Sequence, residues 1–183
     1  MTSSSDPLKK KTPNPENWIA RDGTPVTIRP IRAADFDLER EFVDQLSSAS
    51  GYQRLMSNRS LSAEEIRRFT DIDYDQHMAL IATIAVDGHE REIGVARYVK
   101  GEGTPGEAEF AIVLADDWQQ RGLGSKLLSS LLAIAKREDL RRITGIALSS
   151  NGGMLALARR MGFRLAPDPS SATITTLTLD FGT

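Results

Sequence analysis

The stretch that decides the fold reads Asp117-Trp118-Gln119-Gln120-Arg121-Gly122-Leu123-Gly124-Ser125-Lys126. Before it lies Glu109-Phe110-Ala111-Ile112-Val113-Leu114, an apolar run rich in strand-forming residues. After it, Leu127, Leu128, Leu131, Leu132, Ile134 and Ala135 fall at helical spacing. A glycine-rich turn therefore joins a buried strand to a helix. The first turn of a helix leaves its N–H donors without intrahelical partners, and the helix dipole adds about half a positive charge there. Gly122 and Gly124 lack Cβ, so a ligand can approach the backbone closely. Arg121 and Lys126 bring cationic side chains. The stretch reads as a cradle for a diphosphate. A tight turn with no ligand is the plainer alternative.

Composition narrows the possibilities. A chain of 183 residues with 40% hydrophobic content is expected to form a single globular domain. Lys plus Arg total 23 against 25 for Asp plus Glu, and the net charge of −2 speaks against a nucleic-acid partner. Cysteine is absent, which excludes disulfides, thiolate metal sites and a cysteine nucleophile. With only His77 and His89, both read as surface residues, no metal site is expected. No apolar run reaches membrane-spanning length and no signal-peptide core is visible near Met1. A cytoplasmic enzyme or ligand-binding domain with no membrane partner is the expectation.

Met1–Glu16 is polar, proline-rich and carries Lys9-Lys10-Lys11, and reads as a flexible tail ahead of a domain over 17–183. Pro25–Pro30 is a short strand. Asp35 is placed to cap a helix whose apolar face is Leu38, Phe42, Val43 and Leu46. Tyr52–Ser60 has no clear pattern. Ser62-Ala63-Glu64-Glu65 is a capping box that starts a second helix, with Ile66 and Phe69 inward. Asp71, Asp73 and Asp75 follow in a loop that lacks the glycine and distal glutamate of a calcium site. Met78–Val86, Asp87-Gly88 and Glu92–Lys100 form a hairpin, and Glu107–Leu114 is the third strand of that meander. The central helix runs to about Glu138. Arg142–Leu148 is a strand that, after a crossover helix, lies parallel to Glu107–Leu114. Asn151 caps a helix over Gly152–Met161 that Gly162 ends. Ala166–Ser171 reads as a loop and Ala172–Leu179 as a closing strand. The order β-α-α-β-β-β-α-β-α-β gives an α/β (α+β) fold: a mixed, mostly antiparallel sheet with helices on both faces.

Gln119-Gln120-Arg121-Gly122-Leu123-Gly124 matches the Gln/Arg-x-x-Gly-x-Gly/Ala signature of the GNAT superfamily of acyl-CoA-dependent N-acyltransferases. The strand before, the long helix after, and Asn151 opening a helix that ends in Met161-Gly162-Phe163 fit the same pattern. The chain thus resembles this superfamily over Val26–Leu179. Ile28-Arg29-Pro30-Ile31-Arg32, Ile72-Asp73-Tyr74-Asp75 and Met78-Ala79-Leu80 are in addition similar to bacterial Pat-type protein lysine acetyltransferases.

The resemblance implies a GNAT fold with a splayed parallel strand pair and acetyl-CoA as cosubstrate. It places the CoA diphosphate on Gln119, Gln120, Arg121, Gly122, Leu123, Gly124 and Ser125, largely through backbone N–H groups. The pantetheine arm would run beside Ile112, Val113 and Leu114. Asn151 matches a cofactor-contacting position, beside its reading as a plain helix cap. Glu109 matches a glutamate that serves as general base through a water; Glu107 is the nearest alternative. On an apolar strand, Glu109 is expected to be desolvated with a raised pKa; a strand-end carboxylate pointing to solvent is the bland account. One position departs from the family: Ala158 stands where many members carry a tyrosine acid. The leaving thiol, with a pKa of about 8.5, can depart unassisted. Trp118 reads as packing under the cradle. Arg137, Arg141 and Arg142 read as a solvated face, with the 3′-phosphate of CoA as an alternative contact.

The expected activity is transfer of an acetyl group to a primary amine, on a small molecule or a protein lysine, by direct attack. A non-catalytic acyl-CoA sensor is the competing class. The acceptor, acyl-chain preference and oligomeric state, a dimer included, are left open by the sequence.

Overall fold

The computed structural model describes residues 12–48, 50 and 61–182. They form one eight-stranded sheet. β1 (Glu16–Ile19) and β2 (Pro25–Pro30) make a hairpin at one edge. A 3₁₀ turn (Ala33–Asp35), α1 (Phe36–Gln45) and α2 (Ala63–Thr70) precede the long hairpin of β3 (His77–Val86) and β4 (His89–Lys100). Then come β5 (Glu107–Leu114), α3 (Leu123–Arg137), β6 (Arg142–Leu148), α4 (Gly152–Arg160), β7 (Arg164–Asp168) and β8 (Ser171–Asp180). The strand order is β1-β2-β3-β4-β5-β6-β8-β7. Every neighbouring pair is antiparallel except β5 and β6, which the crossover helix α3 forces parallel.

The period of two in the strands assigns each face. Gly94, Ala96 and Tyr98 of β4 pair across to Leu114, Ile112 and Phe110 of β5 and turn one face toward α3. A Cβ on Gly94 would stand 2.7 Å from Leu114 Cδ2 and an ordinary 3.5 Å from Leu127, so glycine here makes room for the Leu114 side chain beneath α3. Leu123, Leu127, Leu128 and Leu131 are fully buried there, each contributing roughly 1.5–3 kcal/mol by leaving water. The opposite face carries Val95 and Arg97, opposite Val113 and Ala111, and is covered by α1 and α2. The expected mixed sheet with helices on both faces is what the residues build.

Two strands escape the sequence reading. Glu16, the last residue of the expected tail, opens β1, a strand too short and polar to announce itself. Arg164–Asp168, expected largely as loop, is β7 despite Pro167. β7 is the sheet edge and its pairing with β8 is irregular at Pro167/Asp168, the setting in which a strand accommodates proline. The Lys9-Lys10-Lys11 run and Tyr52–Ser60 lie outside the described residues.

The capping expectations divide. Ser62 accepts the Glu65 N–H and the Glu65 carboxylate accepts the Ser62 N–H, as the capping box predicts. Asp35, by contrast, makes no cap bond to α1. Its carboxylate accepts from Arg29 at 2.7 and 2.9 Å and from the Arg32 N–H at 2.7 Å. Arg29 reaches on to Glu90, which also accepts from Thr83. The buried Arg29 guanidinium competes for Asp35 more strongly than a helix end does.

Candidate active site

The site begins where strand pairing stops. β5 pairs with β4 along Ala108–Leu114. With β6 it pairs only through Glu107↔Arg142, Ala108↔Ile143 and Glu109↔Thr144. Beyond Glu109 the two parallel strands part, and the β6-facing edge of Phe110–Leu114 has no partner strand. An aromatic ring packs across the fork. The Phe110 ring lies where a side chain on Gly145 would be, 2.6 Å from an ideal Cβ, and packs on Phe163 with ring centroids 5.0 Å apart. Glycine at 145 is what lets the ring in.

The glycine-rich loop closes the other end. Gln120 (φ 60°) and Gly122 (φ 89°) are both left-handed, and Gly122 precedes α3 with no side chain capping the first turn. The first-turn N–H groups are therefore left to a ligand or water. Gly124 serves packing: a Cβ there would meet Leu157 at 3.2 Å and Leu114 at 3.4 Å. Trp118 is buried beneath the loop, as expected.

A cleft of about 940 Å³ joins these ends. Glu109, Ile112, Val113, Leu114, Gln119, Gln120, Gly122, Gly124, Ser125 and Asn151 all line it. Asn151 also accepts the Met154 N–H at 3.0 Å, so its capping role is present too. Two predicted residues stay out of the wall. Leu123 is fully buried in the core. The Arg121 side chain lies over Trp118 and donates to Asp22 at 2.8 Å. Glu107 does not line the cleft; it pairs with Arg142. Ala158 is fully buried, and no tyrosine among the described residues lines the cleft.

The wall beyond Glu109 is built from residues that sequence patterning missed. Val95, Arg97, Phe69 and Ser50 face the cavity. Arg97 stacks over Phe69 at 4.5 Å and pairs at 3.5 Å with Glu39 of α1, a carboxylate with no solvent exposure. Glu39 sits beside Leu38 and Phe42 in the helix, and nothing in the local pattern marks it as internal. Asp116 accepts from the Ser47 N–H (2.8 Å), Ser47 Oγ (2.9 Å) and Ser50 Oγ (2.7 Å), and Gln119 donates to Ser50 Oγ (3.2 Å). Burial opposes ionisation of Asp116, yet these donors hold its carboxyl below the usual carboxylate range. Ser47 and Ser50 are thereby tied to the segment that carries the glycine-rich loop.

One expectation is corrected and two are sharpened. Glu109 is exposed, because the fork that frees β5 also opens its face to solvent, so the protein does not desolvate it by burial. Arg141 and Arg142 stand at the opposite end of β5 and β6 from the glycine-rich loop, with Arg142 on Asp180 and Arg141 donating to the Pro105 carbonyl. Arg137 ends α3 at the same far end. None of the three is near the cradle. Asp73, in the loop of acidic residues, accepts the N–H groups of Asp75, Gln76 and His77 and holds its own turn together. Among the described residues no group of His, Cys, Asp and Glu is arranged to hold a metal, and no helix is long and apolar enough to cross a membrane.

A strand fork thus leads from an uncapped, left-handed helix start to a carboxylate, in one continuous cleft. Comparison with known proteins gives this arrangement a family. The model for the acetyltransferase (GNAT) domain matches residues 26–164. A Pseudomonas aeruginosa acetyltransferase is 34% identical over 161 residues, covering 86% of each chain. The acetyltransferase Pat of Mycolicibacterium smegmatis is 28% identical over 135 residues, 74% of this chain but 40% of the relative. The crystal structure of the GNAT domain of S. lividans PAT superposes with a TM-score of 0.80 at 27% identity, over 91% of this chain and 97% of that one. The chain belongs to the GNAT acetyltransferase family and is an acyl-CoA-dependent N-acyltransferase.

Proposed function

We propose that the chain transfers an acetyl group from acetyl-CoA to a primary amine, with Glu109 as general base. The observation that carries this reading is the position of Glu109. It is the last residue of β5 still paired to β6, at the fork, in the same cleft as the glycine-rich loop. The CoA diphosphate lies on the backbone N–H groups of Gln120–Ser125, and Gln119 and Asn151 flank it. The pantetheine arm runs along the unpartnered edge of Ile112, Val113 and Leu114 and completes the ladder that β6 leaves. The thioester then reaches the fork.

The amine arrives protonated, since a lysine pKa is about 10.4. Glu109, open to solvent, takes that proton directly or through a water. The freed amine attacks the thioester carbonyl, and a backbone N–H on the open edge of β5 stabilises the oxyanion. The thiolate leaves without a tyrosine acid, in keeping with buried Ala158. The chain acts as a single domain. The acceptor class favoured is a protein lysine, because the Pat resemblance extends through β2, the loop before β3, and β3. A small amine is the alternative.

The test is free-thiol release from acetyl-CoA over a panel of small amines and lysine-bearing proteins. Glu109→Gln is expected to lower turnover roughly 10²–10⁴-fold while CoA affinity is retained. Unchanged turnover removes Glu109 from the mechanism. CoA binding with no release on any acceptor favours the sensor alternative.

A further inference from the structure

The two cations that the glycine-rich stretch brings are both taken by carboxylates of the N-terminal hairpin. Arg121 Nη1 donates to Asp22. Lys126 Nζ pairs with Glu16, whose second oxygen accepts from Ser130 Oγ at 3.0 Å. Asp22 is itself fixed by the Thr24 N–H at 3.0 Å, and Thr24 and Arg121 together hold its carboxyl below the usual range. Both charges are spent locally on docking the hairpin against α3.

The same hairpin places another cation on the cleft. Arg21, the residue before Asp22, lines the cavity, and its Nε lies 3.8 Å from the position of a Cβ on Gly122. Trp18 closes in at the same distance. Arg21 is exposed and makes no hydrogen bond or ion pair among the described residues. Of the other cations on the wall, Arg97 is held by Glu39 at the acceptor end, and Arg160 ends α4.

We propose that Arg21, not Arg121, is the side-chain cation that holds the diphosphate of the CoA cosubstrate over the start of α3. The proposal rests on the reading of this cleft as the acetyl-CoA site. An arginine fork meets phosphate oxygens bidentately and adds to the N–H groups and dipole of α3. Arg121 acts as the strut: by holding Asp22 it aims the adjacent Arg21 into the cleft. The β1–β2 hairpin, absent from the glycine signature, becomes the third wall of the diphosphate site.

Calorimetric titration of the full chain with CoA and dephospho-CoA tests this, with thermal melts confirming that each variant is folded. Wild type must bind CoA; if it does not, the underlying reading fails and not this one. Arg21→Ala and Arg21→Gln are expected to weaken both ligands by roughly tenfold and equally. The salt dependence of binding should flatten with them. Arg121→Ala should cost less than Arg21→Ala. Undiminished CoA affinity in both Arg21 variants overturns the proposal. So does a loss confined to CoA, which would move Arg21 to the 3′-phosphate, or a larger loss from Arg121→Ala.

Discussion

The two ends of the cleft are built in different ways. At the glycine-rich end the wall is mainly backbone, shaped by left-handed φ at Gln120 and Gly122 within a few residues of chain. At the fork end the wall is made of side chains brought from α1, α2, β4 and β5, and held by charge pairs across the fold. The first end depends on backbone freedom at two positions. The second is set by where individual side chains meet, as in the Arg97–Glu39 pair. A family that keeps one donor and varies its acceptor benefits from this division: the donor end is a short local motif, and the acceptor end is assembled from scattered positions.

The difference can be broken from the side-chain end first. Beyond Glu109→Gln, the largest expected effect is that of Asp35→Asn on stability. Asp35 is 6% exposed and accepts both Arg29 nitrogens where β2 meets the turn before α1, outside the cleft. Removing one partner of a buried pair costs about 3 kcal/mol, to be read as a lowered urea midpoint with an unchanged m-value. Acid should sharpen the same point. Burial opposes ionisation of Asp35, but Arg29 and the Arg32 N–H win and hold its carboxyl below the usual range; Arg29 and Thr83 do the same for Glu90. Depressed carboxylates contribute stability that is fully present above their unfolded pKa values of about 4 and lost as pH falls through the folded values. Wild type is therefore expected to lose stability below about pH 4, and Asp35→Asn to show a shallower acid limb in pH-dependent melts. Identical limbs would remove the pair from the acid response.

Changes to the backbone-built end and the fork are expected to be smaller in stability and larger in binding. Gly122→Val puts a β-branched residue at φ 89°, a strain of roughly 1–3 kcal/mol. CoA affinity should drop at least tenfold by calorimetry while the fold survives; tight CoA binding by that variant would sink the backbone-cradle account. The mildest change is Gly145→Ala, which meets the Phe110 ring at 2.6 Å and should cost about 1–2 kcal/mol by overpacking. It should also shift the ring and narrow the fork, raising the acetyl-CoA KM. Gly145→Ala together with Phe110→Leu, which gives the methyl room, should recover the stability.

Much of the donor end was legible in the sequence. Glycines at 122 and 124, the apolar run of β5 and the periodicity of α3 are local signals, and each fixes backbone geometry within one or two turns of chain. The cap at Asn151 and the box at Ser62 are local for the same reason. Even the parallel pairing of β5 and β6 followed from a crossover of helical length.

Local signals could not say which charges meet. Arg121 reaches Asp22 across 99 residues, Lys126 reaches Glu16 across 110, and Asp116 holds Ser47 across 69. Read alone, Arg121 and Lys126 belonged to the phosphate and Asp35 to a helix cap; the tertiary structure gives the first two to the hairpin and the third to Arg29. It also buries Glu39 and exposes Glu109, the reverse of what their neighbours suggested. Sequence alone determined the inner strands, the helices and the glycine-rich turn of this protein, because φ preference and hydrophobic period act over a few residues, whereas the edge strands β1 and β7 formed only against their neighbours. Only the folded sheet decided the charge pairing, because Coulomb and hydrogen-bond partners are chosen by distance in space.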